Sequence, residues 1–354
     1  VTHAASRTTP EIHSIDAAAR KKASLACGEL SQNHDLAIIY RPIADELRAV
    51  EQILQSELRS ETPWVDRLLQ HNWIGGGKRI RPMFLLLSGA AAGSLTPAHL
   101  RLAAAVEMIH AATLVHDDVL DKADTRRHLP TVNSIWDNRT SVLLGDYLFS
   151  HAFYVASLAE CPVALGILAE STNKVCSGEI RQNASQGDFE LSESDYLSMI
   201  SDKTAELCAC SCRLGAIAAG ADEEACNEFA MYGHHLGVAF QIVDDILDLV
   251  GAPDTVGKTL ETDLVNQKPT LPVIHCLKHA SEKDRESLLK LLQSKTACAS
   301  QTLPFLQRTE SLRYARQFAQ GHVQSALAFA NRLESAPCTD SLRQMAEFVL
   351  QRVH

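Results

Sequence analysis

Residues 114–127 read LVHDDVLDKADTRR, and residues 240–251 read FQIVDDILDLVG. Both carry one spacing of aspartates: Asp117, Asp118 and Asp121 in the first, Asp244, Asp245 and Asp248 in the second. On an α-helix, positions four apart share a face, so Asp117 pairs with Asp121 and Asp244 with Asp248. The middle aspartate flanks each pair. A single such set is ordinarily a solvated acidic face. Here Leu114, Val115, Val119 and Leu120 bracket the first set, and Ile242, Val243, Ile246, Leu247 and Leu249 the second. Helices this apolar are buried, and like charges gathered in a buried place are costly unless cations compensate them. Asp is also a poor helix former, so helix propensity does not explain the repetition.

The surrounding sequence is helical throughout. From about Leu36 onward, apolar residues recur at three- and four-residue spacing, as in ADELRAVEQILQSELR at 44–59. Pro63 opens a short helix, and Pro82 stands in a first turn ahead of MFLLLSGAAAG. Thr96 reads as an N-cap, with Pro97 at the first helical position. The pattern predicts helices over 97–122, 140–159, 162–182, 192–220 and 222–250, then 270–279, 281–299, 310–334 and 340–352. Period-two alternation is almost absent. Gly and Pro number 17 and 12 in 354 residues, below the roughly 12% of average usage, which favours helices over many-turned β folds. No Pro/Ser/Gly linker divides the chain after residue 36. The expectation is a disordered extension over 1–35 and a single large all-α bundle over 36–354, its central helices enclosed by others around an apolar cavity.

A net charge of −10 argues against non-specific nucleic-acid binding, which needs excess Lys and Arg. It leaves room for small anions held by a local cluster of cations. Ten cysteines without framework spacing read as reduced thiols of a cytoplasmic protein. No apolar run approaches the roughly 18–20 residues of a spanning helix, and the N-terminus lacks the apolar region of a secretory signal.

Carboxylates without a His or Cys set favour Mg²⁺ over Zn²⁺. Mg²⁺ keeps one or two carboxylates, several waters and substrate phosphates, so the two helices predict a polyphosphate ligand between them. Six aspartates carry the charge that about three divalent ions would neutralise. Cations to meet the phosphates are present. GGGKRIRP at 75–82 supplies Lys78, Arg79 and Arg81 beside a helix start, where backbone can approach an anion. Its spacing is not that of a nucleotide P-loop. Arg126 and Arg127 follow the first aspartates within two turns, and Lys203, Thr204, Gln241, Lys258 and Lys268 add donors around the second.

Taken in order, GGGKRIRP, EMIHAATLVHDDVLDKADTRR, GDYLFS, KTAEL, FQIVDDILD and GKTLETDLVNQKPTLP resemble the trans-polyprenyl diphosphate synthases, the head-to-tail prenyltransferases. The resemblance runs from about Leu36 to the C-terminus. It implies an all-α prenyl-synthase fold, a homodimer, and both aspartate motifs facing one cavity. It implies Mg²⁺ ligands at Asp117, Asp118, Asp121, Asp244, Asp245 and Asp248. Isopentenyl diphosphate would meet Lys78, Arg81, His110 and Arg127. The allylic diphosphate would meet Arg126, Lys203, Thr204, Gln241, Lys258 and Lys268. The implied reaction is departure of diphosphate from the allylic substrate, attack of the isopentenyl double bond on the resulting cation, and loss of a proton.

Chain length is expected to depend on the face of the first aspartate helix, at Thr113, Ala112 and Ile109, respectively four, five and eight positions before Asp117. The resemblance associates large aromatic residues at the first two positions with short products. Ala112 and Thr113 leave that level open, which predicts twenty-five carbons or more; a farnesyl or geranylgeranyl synthase is the alternative. Phe149, Phe153 and Tyr154 are candidates for the floor. His116 reads as a packing or supporting residue, and Trp64 and Trp73 as packing residues. Cys208, Cys210 and Cys212 cannot face one ion from a helix, because positions two apart point about 200° away from each other. His234-His235 is assigned no site. Two further readings are a terpene cyclase and a catalytically silent subunit of a heteromeric synthase; the completeness of both aspartate and basic sets argues against each.

Overall fold

The structure, a computed structural model, describes residues 34–74, 77–127, 129–251, 262–294 and 297–351. The N-terminal segment before residue 34 and Lys258 lie outside the described residues. The chain begins with α1 (His34–Tyr40), a short 3₁₀ turn, α2 (Ala44–Glu57), α3 (Pro63–Ile74) and α4 (Ile80–Ala92). The long α5 (Pro97–Leu120) ends at the first aspartates, and a two-residue hairpin follows, β1 (Thr125–Arg126) and β2 (Leu129–Pro130). Then come α6 (Val132–Ile135), α7 (Asn138–Ser157), α8 (Pro162–Ala184), α9 (Glu193–Ile200), α10 (Glu206–Ala218) and α11 (Glu223–Val250). After the second aspartates lie α12 (Thr262–Val265), α13 (Leu271–His279), α14 (Glu282–Gln293), α15 (Ala299–Arg308), α16 (Ser311–Ala330) and α17 (Pro337–Gln351).

The expected all-α bundle is the observed one, and its helix starts have local causes. Thr131, Asp137, Ser192, Asp222 and Ser281 each accept a backbone N–H of the first turn through their side chains. At α5, Thr96 N–H donates to His99 Nδ1 at 3.0 Å, so His99 Nε2–H is the donor to Gly215 O, also 3.0 Å away. That imidazole ties α5 to the end of α10. The centre of the bundle is α4, α5, α10 and α11: α5 packs on α7 and α4, α10 on α4 and α11, and α11 on α16. Residues 102–109 of α5 are buried without interruption. By length and composition α5 could cross a membrane, which corrects the expectation that no apolar run reaches that length. Its burial among α4, α7 and α10 accounts for the same composition. A second, smaller core joins Leu249, Leu264, Val273, Leu277, Leu288, Leu292 and Leu306 beneath the C-terminal helices.

Three expectations about boundaries change. The segment 192–220 is not one helix: a π turn at Ser201–Ala205 separates α9 from α10. The helix foreseen over 281–299 ends at Gln293, and α15 starts at Ala299 despite Pro304 inside it. The hairpin after Asp121 is too short to give a period-two signal. It holds Arg126 on β1 and turns at Arg127, whose φ of 51° is left-handed.

Candidate active site

The first aspartates stand at the C-terminal end of α5, the second near the C-terminal end of α11. Segments far apart in sequence close on them. Lys268, just before α13, places Nζ 2.7 Å from Asp121 Oδ1. Lys203, in the π turn, lies 3.9 Å from Asp117 Oδ2 and 2.5 Å from Glu179 Oε2, and donates to Gln182 Oε1 at 2.7 Å. Arg126 Nε donates to Asp118 Oδ1 at 2.7 Å. Each member of the first set therefore faces a cation from a different element.

The π turn is what presents Lys203 and Thr204 to opposite sides. A Cβ on Gly178 of α8 would stand 2.5 Å from Lys203 N, and one on Gly237 of α11 would stand 2.5 Å from Ala205 Cα. Both helices therefore press backbone against the turn, and only glycine permits that approach. A π turn inserted in an α-helix is a frequent mark of a functional site. Thr204 Oγ1 donates to Gln241 Oε1 at 2.8 Å, and Gln241 Nε2 donates to Asp245 Oδ1 at 2.8 Å.

The three aspartates of the second set differ in environment. Asp245 is buried, with Oδ2 accepting the Tyr196 hydroxyl at 2.6 Å and Oδ1 accepting Gln241. Asp248 has no accessible surface and accepts Thr262 Oγ1 and Asp263 N–H, each at 3.0 Å. Asp244 is half-buried and keeps accessible surface, as do Asp117 and Asp121. Burial raises Asp245 to a pKa of about 8, with the nearby Asp263 carboxylate pushing the same way. Burial also raises Asp117 to about 6; Lys203 opposes the shift and Glu179 adds to it. Asp118 is raised by burial against the pull of Arg126. Burial would lower Lys268, but Asp121 outweighs it and holds the ammonium above its usual value.

Beside Asp118, a pocket of about 70 Å³ is lined by Trp73, Arg79, His110, Asp118, Arg126 and Arg127 among others. His110 is driven well below the usual imidazole value by burial and then by Arg81 and Arg127, so it stands neutral among arginines. The Arg81 Nε is buried and finds no acceptor among the described residues. Lys78 is exposed, and its carbonyl accepts the Tyr40 hydroxyl at 2.5 Å. A larger cavity of about 690 Å³ lies between α11 and α16, beside Glu223, Glu228, Met231 and Arg332. It contains none of the residues above, so size does not locate this site.

On α5, Thr113 is half-buried and its hydroxyl donates to His110 O at 2.8 Å. Ala112 and Ile109 have no accessible surface. Tyr154 is 55% exposed and turned to the surface against His151, so it is no floor. Phe149 and Phe153 are half-buried, and Phe149 packs on His116, whose Nε2 is 3.1 Å from Val142 O. Cys208, Cys210 and Cys212 are buried single thiols. Trp73 is more than packing: the Arg79 guanidinium lies 4.1 Å over its ring. The sequence reading missed Glu179, Gln182 and Tyr196. Each is one polar residue on an ordinary helix, and its partner lies at least 21 residues away.

The acidic end of α5, met by three cations from different elements, marks a site that comparison with known proteins can now name. The family model for polyprenyl synthetase matches residues 62–307. The chain belongs to that family. Component 2 of the heptaprenyl diphosphate synthase of Bacillus subtilis is 35% identical over 316 residues, covering 88% of this chain and 90% of the relative. A short chain isoprenyl diphosphate synthase of Methanothermobacter thermautotrophicus is 35% identical over 325 residues, covering 90% and 98%. Among solved structures, the polyprenyl synthase of Caulobacter crescentus CB15 complexed with calcium and isoprenyl diphosphate superposes with a TM-score of 0.84 at 30% identity, covering 90% of this chain and 98% of that one. This polyprenyl synthetase is a prenyltransferase of isoprenoid biosynthesis, and prenyl chain elongation on isoprenyl diphosphates is its chemistry.

Proposed function

We propose that the enzyme condenses isopentenyl diphosphate with an allylic diphosphate, with Mg²⁺, to make a trans-polyprenyl diphosphate of about twenty-five carbons or more. The observation that carries the reaction is the closure of Lys203 and Lys268 on the first aspartate set, at 3.9 and 2.7 Å. It brings cations from distant segments to where a diphosphate would leave.

The donor set fits a hard cation. Carboxylates suit an ion that takes one or two of them and completes its shell with water and phosphate. Asp117, Asp121 and Asp244 keep accessible surface and would hold metal. Asp118 would exchange Arg126 for metal, while Asp245 and Asp248 have oxygens engaged by Tyr196 and Gln241 and by Thr262 and Asp263, and would orient the others. When bound, the ions would neutralise the diphosphate as it departs. Lys203, Lys268 and Arg126 would bind the allylic diphosphate, with Thr204 and Gln241 beside them. Lys78, Arg81 and Arg127 would bind the isopentenyl diphosphate. Neutral His110 would donate a hydrogen bond without adding charge. The apolar walls below Asp117 would keep water from the cation.

Val142, Leu143, Tyr154, Leu158, Val163 and Ile180 are exposed apolar residues on and between α7 and α8, which supports a homodimer. Long products are supported by Thr113 and Ala112, neither of which is large or aromatic. Incubation with labelled isopentenyl diphosphate, an allylic primer and Mg²⁺, followed by chromatographic sizing, tests the reading. A labelled chain of twenty-five or more carbons is expected. Release of a cyclic hydrocarbon without incorporation, or activity only after adding a different subunit, would overturn it.

A further inference from the structure

Between Lys78 and Arg81 stands Arg79, and its side chain goes elsewhere. It is 7% exposed and left-handed, with φ of 52°, a conformation that a non-glycine residue holds only when its surroundings impose it. Its Nε and Nη2 donate to the two carboxylate oxygens of Glu51 on α2. Its Nη1 donates to Glu107 Oε1 on α5 at 2.9 Å, where Glu107 is only 5% exposed. The guanidinium plane lies over Trp73 of α3. One arginine thus joins α2, α3 and α5 at the start of α4.

Every element of the expected isopentenyl diphosphate cradle touches this cluster or adjoins it. Glu107 is one turn before His110. Tyr40 pins the Lys78 carbonyl. A Cβ on Gly77 would stand 2.7 Å from Arg79 Nη1 and 3.0 Å from Arg127 Nη1, so glycine lets both guanidinium groups reach the loop. Two carboxylates offset the one arginine, leaving local negative charge among the cations of the cradle.

We propose that Arg79, held by Glu51 and Glu107, is a positioning residue that sets Lys78, Arg81 and Arg127 for the isopentenyl diphosphate. The inference rests on the condensation proposed above. Its guanidinium is committed to carboxylates, so it acts through its neighbours. Lysine keeps the charge but cannot fork to two carboxylates, and Glu107→Gln keeps the shape but loses the anion.

The test is steady-state kinetics on Arg79→Lys and Glu107→Gln, with calorimetric binding of isopentenyl diphosphate alone. The KM and the binding constant for isopentenyl diphosphate are expected to weaken roughly 10- to 100-fold. The allylic KM should stay in place and kcat should fall by less. A purely structural role would lower the melting temperature and kcat with both KM values unmoved, and that result overturns the proposal. So would equal weakening of both substrates. Should Arg79→Lys not fold, Glu107→Gln and Tyr40→Phe carry the same comparison, the latter with a smaller effect. A wild-type enzyme that binds isopentenyl diphosphate but does not condense it would sink the proposed function instead, leaving the binding comparison to judge Arg79.

Discussion

The Lys268–Asp121 contact makes a prediction with two opposite signs. The Lys268 ammonium holds an oxygen that the proposed Mg²⁺ needs. Replacing it, as in Lys268→Gln, removes a competitor for metal and a binding group for diphosphate at once. At 2.7 Å, two unit charges interact by about 1.5 kcal/mol in a water-like dielectric and about 6 kcal/mol at an effective dielectric of 20. The Asp121 side chain is 30% accessible and that of Lys268 11%, so solvent screening brings the pair toward the lower figure. A change of about 1.5 to 3 kcal/mol corresponds to roughly 10- to 150-fold in binding. Metal binding without diphosphate, followed by Mn²⁺ titration under electron paramagnetic resonance, should tighten by roughly tenfold, near the low end of that range. The allylic KM should rise by a similar or larger factor, because a charge-assisted hydrogen bond contributes about 1.5–3 kcal/mol. If metal binding weakens together with the allylic substrate, or if the isopentenyl KM moves instead, the exchange of partners at Asp121 is wrong.

Three other expectations follow from the same geometry. Asp117→Asn and Asp244→Asn should lower kcat by orders of magnitude at saturating substrate while leaving the melting temperature near wild type; near-wild-type rates in both would show the metal site misplaced. Thr113→Phe and Ala112→Phe should both shorten the product without abolishing condensation, the first more cleanly because Thr113 alone has accessible surface; products of unchanged length would remove the chain-length role of this face. His322, whose Nδ1 is 3.0 Å from that of His235, is lowered to a pKa of about 4 by burial and by His235 and His234. The unfolded chain takes up that proton near pH 6.5, so stability should be full above pH 6.5 and decline as pH falls toward 4; melting curves of His322→Gln should be flatter over that range, and an unchanged slope would count against it.

What was legible in the sequence, and what was not, divides along the range of the interaction. Helices α5 and α11 were readable to within two residues because apolar periodicity and the caps Thr96 and Asp222 act locally. The six aspartates were readable because they repeat. Their different environments were not: Asp245 is buried and bound by Gln241 and by Tyr196, 49 positions back, and a tyrosine in an amphipathic helix looks like core. The π turn left no trace in the periodicity of 192–220. It depends on Gly178 and Gly237 admitting two other helices. Arg79 was visible as one cation among three; its partners on α2 and α5 were needed to separate it from Lys78 and Arg81.

The ion pairs on the first aspartate set suggest why metal and diphosphate would bind together. Asp118 with Arg126, Asp121 with Lys268, and Asp117 with Lys203 bring carboxylates and cations face to face. Without them, three carboxylates crowded on one helix end, Asp118 buried among them, would repel one another without compensation. A diphosphate arriving alone would compete with those aspartates for the lysines, and a metal ion arriving alone would compete with the lysines for the aspartates. Arriving together, each releases what the other requires: phosphate oxygens take the ammonium groups and metal takes the carboxylates. Neither set of protein charges is then left unpaired in the low-dielectric interior. Asp245 and Asp248 stay outside this exchange, tied to Tyr196, Gln241, Thr262 and Asp263, and keep the α11 side of the site in place while partners change on the α5 side.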